Sequence, residues 1–131
     1  MQVELVSPEA VVFSGSADMV VARTVGGGEI AFMTGHVPFI GALAIGSVRL
    51  FADDQLAEQI AVHSGFVEVT QSKVTILSDV AELSGQIDAA RAELAKERAE
   101  EGLRASADDP ELLAALRRAT VRLDIAGAAT N

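Results

Sequence analysis

Over roughly the first eighty residues, apolar and polar positions alternate in short runs, and each run is closed by Gly, Pro, Asp or Ser. Residues 3–6 stop at Ser7-Pro8, 11–13 at Ser14-Gly15, and 18–23 before Gly26-Gly27-Gly28. Residues 47–51 stop at Asp53-Asp54, 59–62 run up to Gly65, and 67–70 and 74–77 flank Gln71-Ser72, a connection of hairpin length. A period of two bounded by turn residues predicts short strands closing into a sandwich or flattened barrel. At Ser84-Gly85 the pattern changes, and Ala, Glu, Leu and Arg take over, which predicts helix. The first helix is expected from about residue 86 to 103, with Ser84 as N-cap and a thin apolar face of Ile87, Ala90 and Leu94. The stretch 102–109 breaks the pattern, and Asp109-Pro110 restarts it, Asp as cap and Pro at the first helical position. Leu112, Leu116, Ala119 and Leu123 then form one stripe. The expected fold is α+β: an N-terminal β-sandwich (flattened barrel) over 1–84, followed by a C-terminal antiparallel two-helix hairpin over 85–131.

Composition narrows the function. The chain has 131 residues, half of them apolar, with five Phe and no Trp, Tyr or Cys, so the core is built from Val, Ile, Leu and Ala and holds no disulfide. The net charge is −9, and the first 85 residues carry 3 basic against 10 acidic side chains. Such a surface is unsuited to wrapping nucleic acid or lying on an anionic bilayer, so no nucleic-acid partner is expected. The first residues lack a basic, apolar leader pattern. The longest near-apolar stretch, 37–45, is interrupted by Pro38 and Gly41, so contact with a membrane is expected only through a partner.

Several motifs could suggest chemistry. Gly26-Gly27-Gly28-Glu29-Ile30-Ala31 satisfies G-x-G-x-x-A, but a dinucleotide site needs a helix next, and Gly35 and Pro38 follow too soon; a turn is the better reading. His36 and His63 are isolated, with no neighbouring ligand pattern, and each reads as structural rather than metal-binding. Ser64 beside His63 lacks a nucleophile elbow. Lys73 in a hairpin brings a lipoyl or biotinyl carrier to mind, but its flanks do not match.

The charges past the seam are more pointed. Asp88, Arg91 and Arg98 recur at three and seven residues and share a helix face, and Arg118 and Arg122 can face them from the second helix. Two readings stay open: intrahelical ion pairs worth about 0.2–0.5 kcal/mol each, or guanidiniums converging on an anion such as a phosphate. A helix pair with so small a core must dock on something, which makes it a plausible movable element.

Four segments in register resemble one family. Gly28 to Pro38 is similar to the G-E-[LI]-G-[IL]-x-P-G-H-x-P segment of ATP synthase epsilon subunits, with Ala31 and Thr34 where that family usually has Gly and Pro. Ser64-Gly65-Phe66-Val67-Glu68-Val69 resembles its G-G-[FI]-x-E-V pair, and residues 74–82 its closing strand. Residues 87–92, Ile-Asp-Ala-Ala-Arg-Ala, match its [IL]-D-x-x-R-A segment without departure.

The resemblance implies a non-catalytic central-stalk subunit of a rotary, proton- or sodium-driven ATP synthase, peripheral at the cytoplasmic face of the bacterial plasma membrane. It implies three partners: the gamma subunit, the c subunits of the rotor ring, and the alpha/beta catalytic head, reached by an extended hairpin that opposes ATP hydrolysis. Gly26, Gly27, Gly28, Glu29 and His36 are the candidates for the ring contact. No cofactor is required; ATP is a candidate regulatory ligand of the folded-down hairpin. By motif position it would meet Glu82, Asp88, Arg91, Arg118 and Arg122, with Ile87, Ala92 and Arg98 secondary. The alternative is a stand-alone nucleotide-binding or carrier module on a sandwich.

Overall fold

Ten strands precede two helices in the computed structural model, which describes residues 1–130. The strands are β1 (Gln2–Val6), β2 (Val11–Ser16), β3 (Met19–Thr24), β4 (Gly28–Met33), β5 (Phe39–Leu43), β6 (Gly46–Ala52), β7 (Gln55–Val62), β8 (Gly65–Val69), β9 (Lys73–Leu77) and β10 (Ala81–Leu83). A single 3₁₀ turn (Ser84–Gln86) leads to α1 (Ala89–Ala105) and α2 (Pro110–Thr130).

The strands form a curled sandwich with the path β10-β7-β6-β3-β5-β8-β9-β1-β2, and β4 pairs with β3 off that path. All pairings are antiparallel except β1 with β9, which run parallel with Val3 beside Val74 and Leu5 beside Ile76. The sheet turns from one layer to the other at β3 and β5, which touch through the single pair Thr24–Leu43. Because strand side chains alternate faces, every second residue of β1, β3, β6, β8 and β9 enters one core. Val3, Leu5, Val20, Ala22, Val48, Leu50, Val67, Val69, Val74 and Ile76 are buried there with Phe32 and Ile60.

Three strands escape the sequence pattern. β4 buries only Phe32 fully and has β3 as its one strand partner, so the alternation is faint. β5 follows Pro38 and contains Gly41, whose added Cβ would lie 2.7 Å from the Phe39 ring. β10 is only three residues long. The G-x-G-x-x-A stretch leads into a strand rather than a helix, with Gly26 (φ 78°) and Gly28 (φ 69°) forming the turn, so no dinucleotide site exists there.

The hairpin also corrects the sequence reading. Ser84 does not cap α1; its Oγ donates to Glu58 Oε1 at 2.9 Å within the 3₁₀ turn region. The helix begins three residues later than expected, and Asp88 is its N-cap, Oδ1 accepting from the Arg91 N–H at 3.1 Å. Ala90 and Leu94 are exposed, and the buried face is Ala92 and Ala99, facing a second helix that buries Ala119 and Ile125. With alanine on most sides of α1, spacing alone could not say which side packs. Gly102, read as a breaker, lies inside α1 against the second helix: an added Cβ would be 2.9 Å from Leu112 Cδ1. The cap at Asp109 is as expected, its carboxylate accepting from the Glu111 and Leu112 N–H groups. Helix α2 lies against β6, β7 and the 3₁₀ turn.

Candidate functional site

β7 runs apolar and buried through Ile60-Ala61-Val62 and delivers His63 at its end, 7% exposed, just before a sharp turn at Ser64 (φ 77°) and Gly65 (φ 140°). β10 pairs with the last turn of that strand, Ala81 beside Val62 and Glu82 beside Ala61. This register brings the Glu82 carboxylate to the His63 ring, with Nε2 donating to Oε1 at 3.4 Å. From the other side Arg122 on α2 donates through Nε to the same oxygen at 2.5 Å. Among the described residues this is the only side-chain hydrogen bond from α2 to the sandwich.

The charges of this trio are set by their neighbours. Burial lowers the pKa of His63 below its ordinary value, and the positive charge of Arg122 lowers it further; the hydrogen bond and charge of Glu82 oppose this without prevailing. For Glu82, burial alone would raise the pKa, but the hydrogen bond and charge of Arg122, then those of His63, outweigh it and the net shift is downward. Near neutral pH the trio is therefore a neutral imidazole, a carboxylate and a guanidinium. Among the described residues, His63 Nδ1 is buried without a hydrogen-bond partner.

Beside the trio lies a cleft of about 640 Å³, lined among others by Glu82, Asp88, Arg91, Ala92, Arg98 and Arg122. Three guanidiniums face two carboxylates, and both carboxylates are already engaged, Glu82 by Arg122 and Asp88 by the helix N-terminus. Among the described residues Arg91 and Arg98 form no ion pair. The Asp88–Arg91 side-chain pair that spacing permits is thus absent, because capping claims the carboxylate. The cleft is an electropositive pocket of ligand size, suited to an anion held by forked N–H donors.

The structure distributes the other candidates unevenly. Ile87 is half-buried after the 3₁₀ turn and does not line the cleft, and Ala92, 2% exposed, offers little but its backbone and methyl. Arg118 lies outside the cleft, although its charge reaches His63. Gly26, Gly27 and Gly28 form the turn into β4 and Glu29 is its second residue, whereas His36 follows the other end of that strand. Glu29 pairs with Arg49 at 2.9 Å on the surface, and His36 packs edge-on to Phe32 at 5.1 Å. A larger cleft of about 930 Å³ between the glycine turn and α2 mixes Arg23 and Arg117 with Glu29 and Asp124, so its charge favours no one ligand sign. Lys73 opens β9 and pairs with Glu4 at 3.2 Å, which is not the tip position a carrier lysine needs.

Sequence reasoning treated His63 as a satisfied structural histidine and missed its place behind Glu82. The two are 19 residues apart, and only the β7–β10 register joins them. The one available signal was a histidine ending a buried apolar run.

Comparison with known proteins agrees with the architecture. The family model for the ATP synthase delta/epsilon chain β-sandwich domain matches residues 1–84. The ATP synthase epsilon chain of Shouchella clausii is 43% identical over 127 residues, covering 96% of this chain and 94% of that protein. That of Halalkalibacterium halodurans is 42% identical over 131 residues, covering 97% of each. A chain in the Euglena gracilis mitochondrial ATP synthase OSCP/F1/c-ring structure has the same fold, with a TM-score of 0.69 at 21% identity, covering 98% of this chain and 80% of that one. The chain belongs to the ATP synthase epsilon family, whose members are central-stalk subunits of ATP synthase. Among the described residues no helix is long and apolar enough to cross a membrane.

Proposed function

We propose that the chain is a non-catalytic rotor subunit, held peripherally at the cytoplasmic face of the membrane, whose hairpin regulates ATP hydrolysis. The observation that carries this reading is the contrast between the two parts: a sandwich with a continuous buried core, and a hairpin tied to it by one charged hydrogen bond among the described residues. Gamma docks on the outer face of β5, β8 and β9, where Ile40, Phe66 and Leu77 are 73, 56 and 43% exposed and Phe66 lies in register between Ala42 and Leu77. An apolar face of that kind on a water-facing sheet marks a protein contact. The glycine turn with Glu29 meets the c subunits of the ring, and the released hairpin reaches the alpha/beta head and opposes hydrolysis.

ATP binds the docked hairpin in the seam cleft. Arg91 and Arg98, both without ion-pair partners among the described residues, take the phosphates, and Arg122 adds a third guanidinium once shared with the ligand. Glu82 and Asp88 meet the ribose, the purine or the arginines. Calorimetry on the full chain tests the site: binding is expected below millimolar ATP and weakened at least tenfold by Arg91→Ala. No heat at millimolar ATP, or unchanged affinity in the variant, refutes it. Deleting residues 86–131 from the assembled enzyme is expected to raise ATPase activity, and no change removes the inhibitory role.

A further inference from the structure

We propose that His63 is the positioning residue of the Glu82–Arg122 contact, and that a proton taken up by its ring releases the hairpin from the sandwich. The inference rests on the hairpin being movable, as proposed above, and not on ATP binding.

The geometry leads there in three steps. First, Glu82 Oε1 is shared: His63 Nε2 lies 3.4 Å from it and Arg122 Nε 2.5 Å from it, so the imidazole sits behind the carboxylate and the guanidinium in front. The neutral ring donates from Nε2 and fixes which way the carboxylate points. Second, the only place for another proton is Nδ1, which is buried and has no acceptor among the described residues. A proton there creates an unsatisfied buried donor and a third positive charge beside those of Arg122 and Arg118. Third, the imidazolium competes with Arg122 for the same carboxylate. The charged groups that act on the ring are Glu82 from β10 and Arg122 and Arg118 from α2. The 3₁₀ turn packed beside it carries no charged side chain. Glu58 on β7 accepts from Ser84, and Asp79 in the β9–β10 connection is exposed.

The direction of the pH effect follows. The docked state disfavours the proton on His63, and undocking takes the Arg122 and Arg118 charges away from the ring, which raises its proton affinity toward the ordinary imidazole value of 6.5. Docking is therefore at full strength above about pH 6.5 and weakens as pH falls below it, by up to about tenfold per pH unit for one linked proton.

The test uses the full chain without nucleotide. It has no cysteine, so Asp54→Cys and Glu100→Cys, both exposed, take a pair of spin labels whose separation reports docking. The undocked population is expected to grow from pH 6.5 to 5. In His63→Gln, whose amide can still donate to Glu82 but takes no proton, the profile is expected to be flat with the hairpin docked. A flat profile for the labelled chain with His63 intact overturns the proposal, as does an equal pH response in the variant. If His63→Gln does not fold, the ring carbon resonance of His63 in the unaltered chain decides. A titration midpoint coinciding with release supports the proposal, and one that does not coincide overturns it. Loss of ATP binding by calorimetry with the pH response intact would sink only the nucleotide site.

Discussion

Replacing Arg122 by Ala removes the one charged tie between α2 and the sandwich among the described residues, and the structure sets how much that should matter. The side chains of Arg122 and Glu82 are 26 and 28% exposed, so each is about three-quarters withdrawn from water. A fully exposed pair contributes about 0–1 kcal/mol, and a charge-assisted hydrogen bond in a buried setting about 1.5–3 kcal/mol. Intermediate burial with one well-placed bond gives a coupling of ~1–2 kcal/mol, a factor of roughly 5–30 in the docking equilibrium. The single variant mixes this with the loss of packing along the arginine stem and with a Glu82 left to His63 alone. A double-mutant cycle over Arg122→Ala and Glu82→Ala isolates the pair. Native-state hydrogen exchange of the α2 amides reads it, because those amides open when the helix leaves the sandwich. The coupling should shrink only modestly at high salt, since partly buried pairs are screened less than exposed ones. A coupling below about 0.3 kcal/mol would refute the reasoning and reduce the contact to an ordinary surface pair.

Other perturbations test separate parts of the account. Gly65→Ala forces a Cβ to within 2.1 Å of the Leu77 carbonyl oxygen at a φ of 140°, so the melting temperature should fall by roughly 10 °C or more, and an unchanged melt would contradict the β8–β9 geometry. Asp88→Ala should cost about 1 kcal/mol of α1 stability through the lost cap and speed exchange of the Arg91 amide, whereas Asp88→Asn should retain most of it. For Glu82 the depressed pKa means its contribution is present above the ordinary carboxylate value of 4.5 and lost as pH falls through its lower docked value. Exchange protection of α2 should therefore drop again below about pH 4.5, a second step absent in Glu82→Gln.

Much of the architecture is legible from one dimension because it is periodic. Alternating residues such as Val3, Leu5, Val74 and Ile76 name their own inner face, since a strand has only two. The change at Ser84-Gly85 announces helices because strong helix formers replace β-branched residues within a few positions. The cap at Asp109-Pro110 is local chemistry and was readable as such. Strands β4 and β5 were not, because an edge strand and a glycine-containing strand lose the alternation that marks the others. The family segment 87–92 put Asp88 and Arg91 at the centre of the candidate site, but spacing could not tell an ion pair from a cap. That was decided by where α1 begins.

What only the tertiary structure decided is the company those residues keep. Glu82 meets Arg122 across 40 residues and His63 across 19, through the β7–β10 register and the docking of α2. It leaves Arg91 and Arg98 on an open cleft, moves Arg118 out of it, and separates His36 from the glycine turn by the length of β4. The physical reason is one of range. Propensity, capping and turn chemistry act over a few residues and are written into neighbours. A buried histidine behind a shared carboxylate depends on two strands and a helix meeting, and no local pattern encodes that meeting.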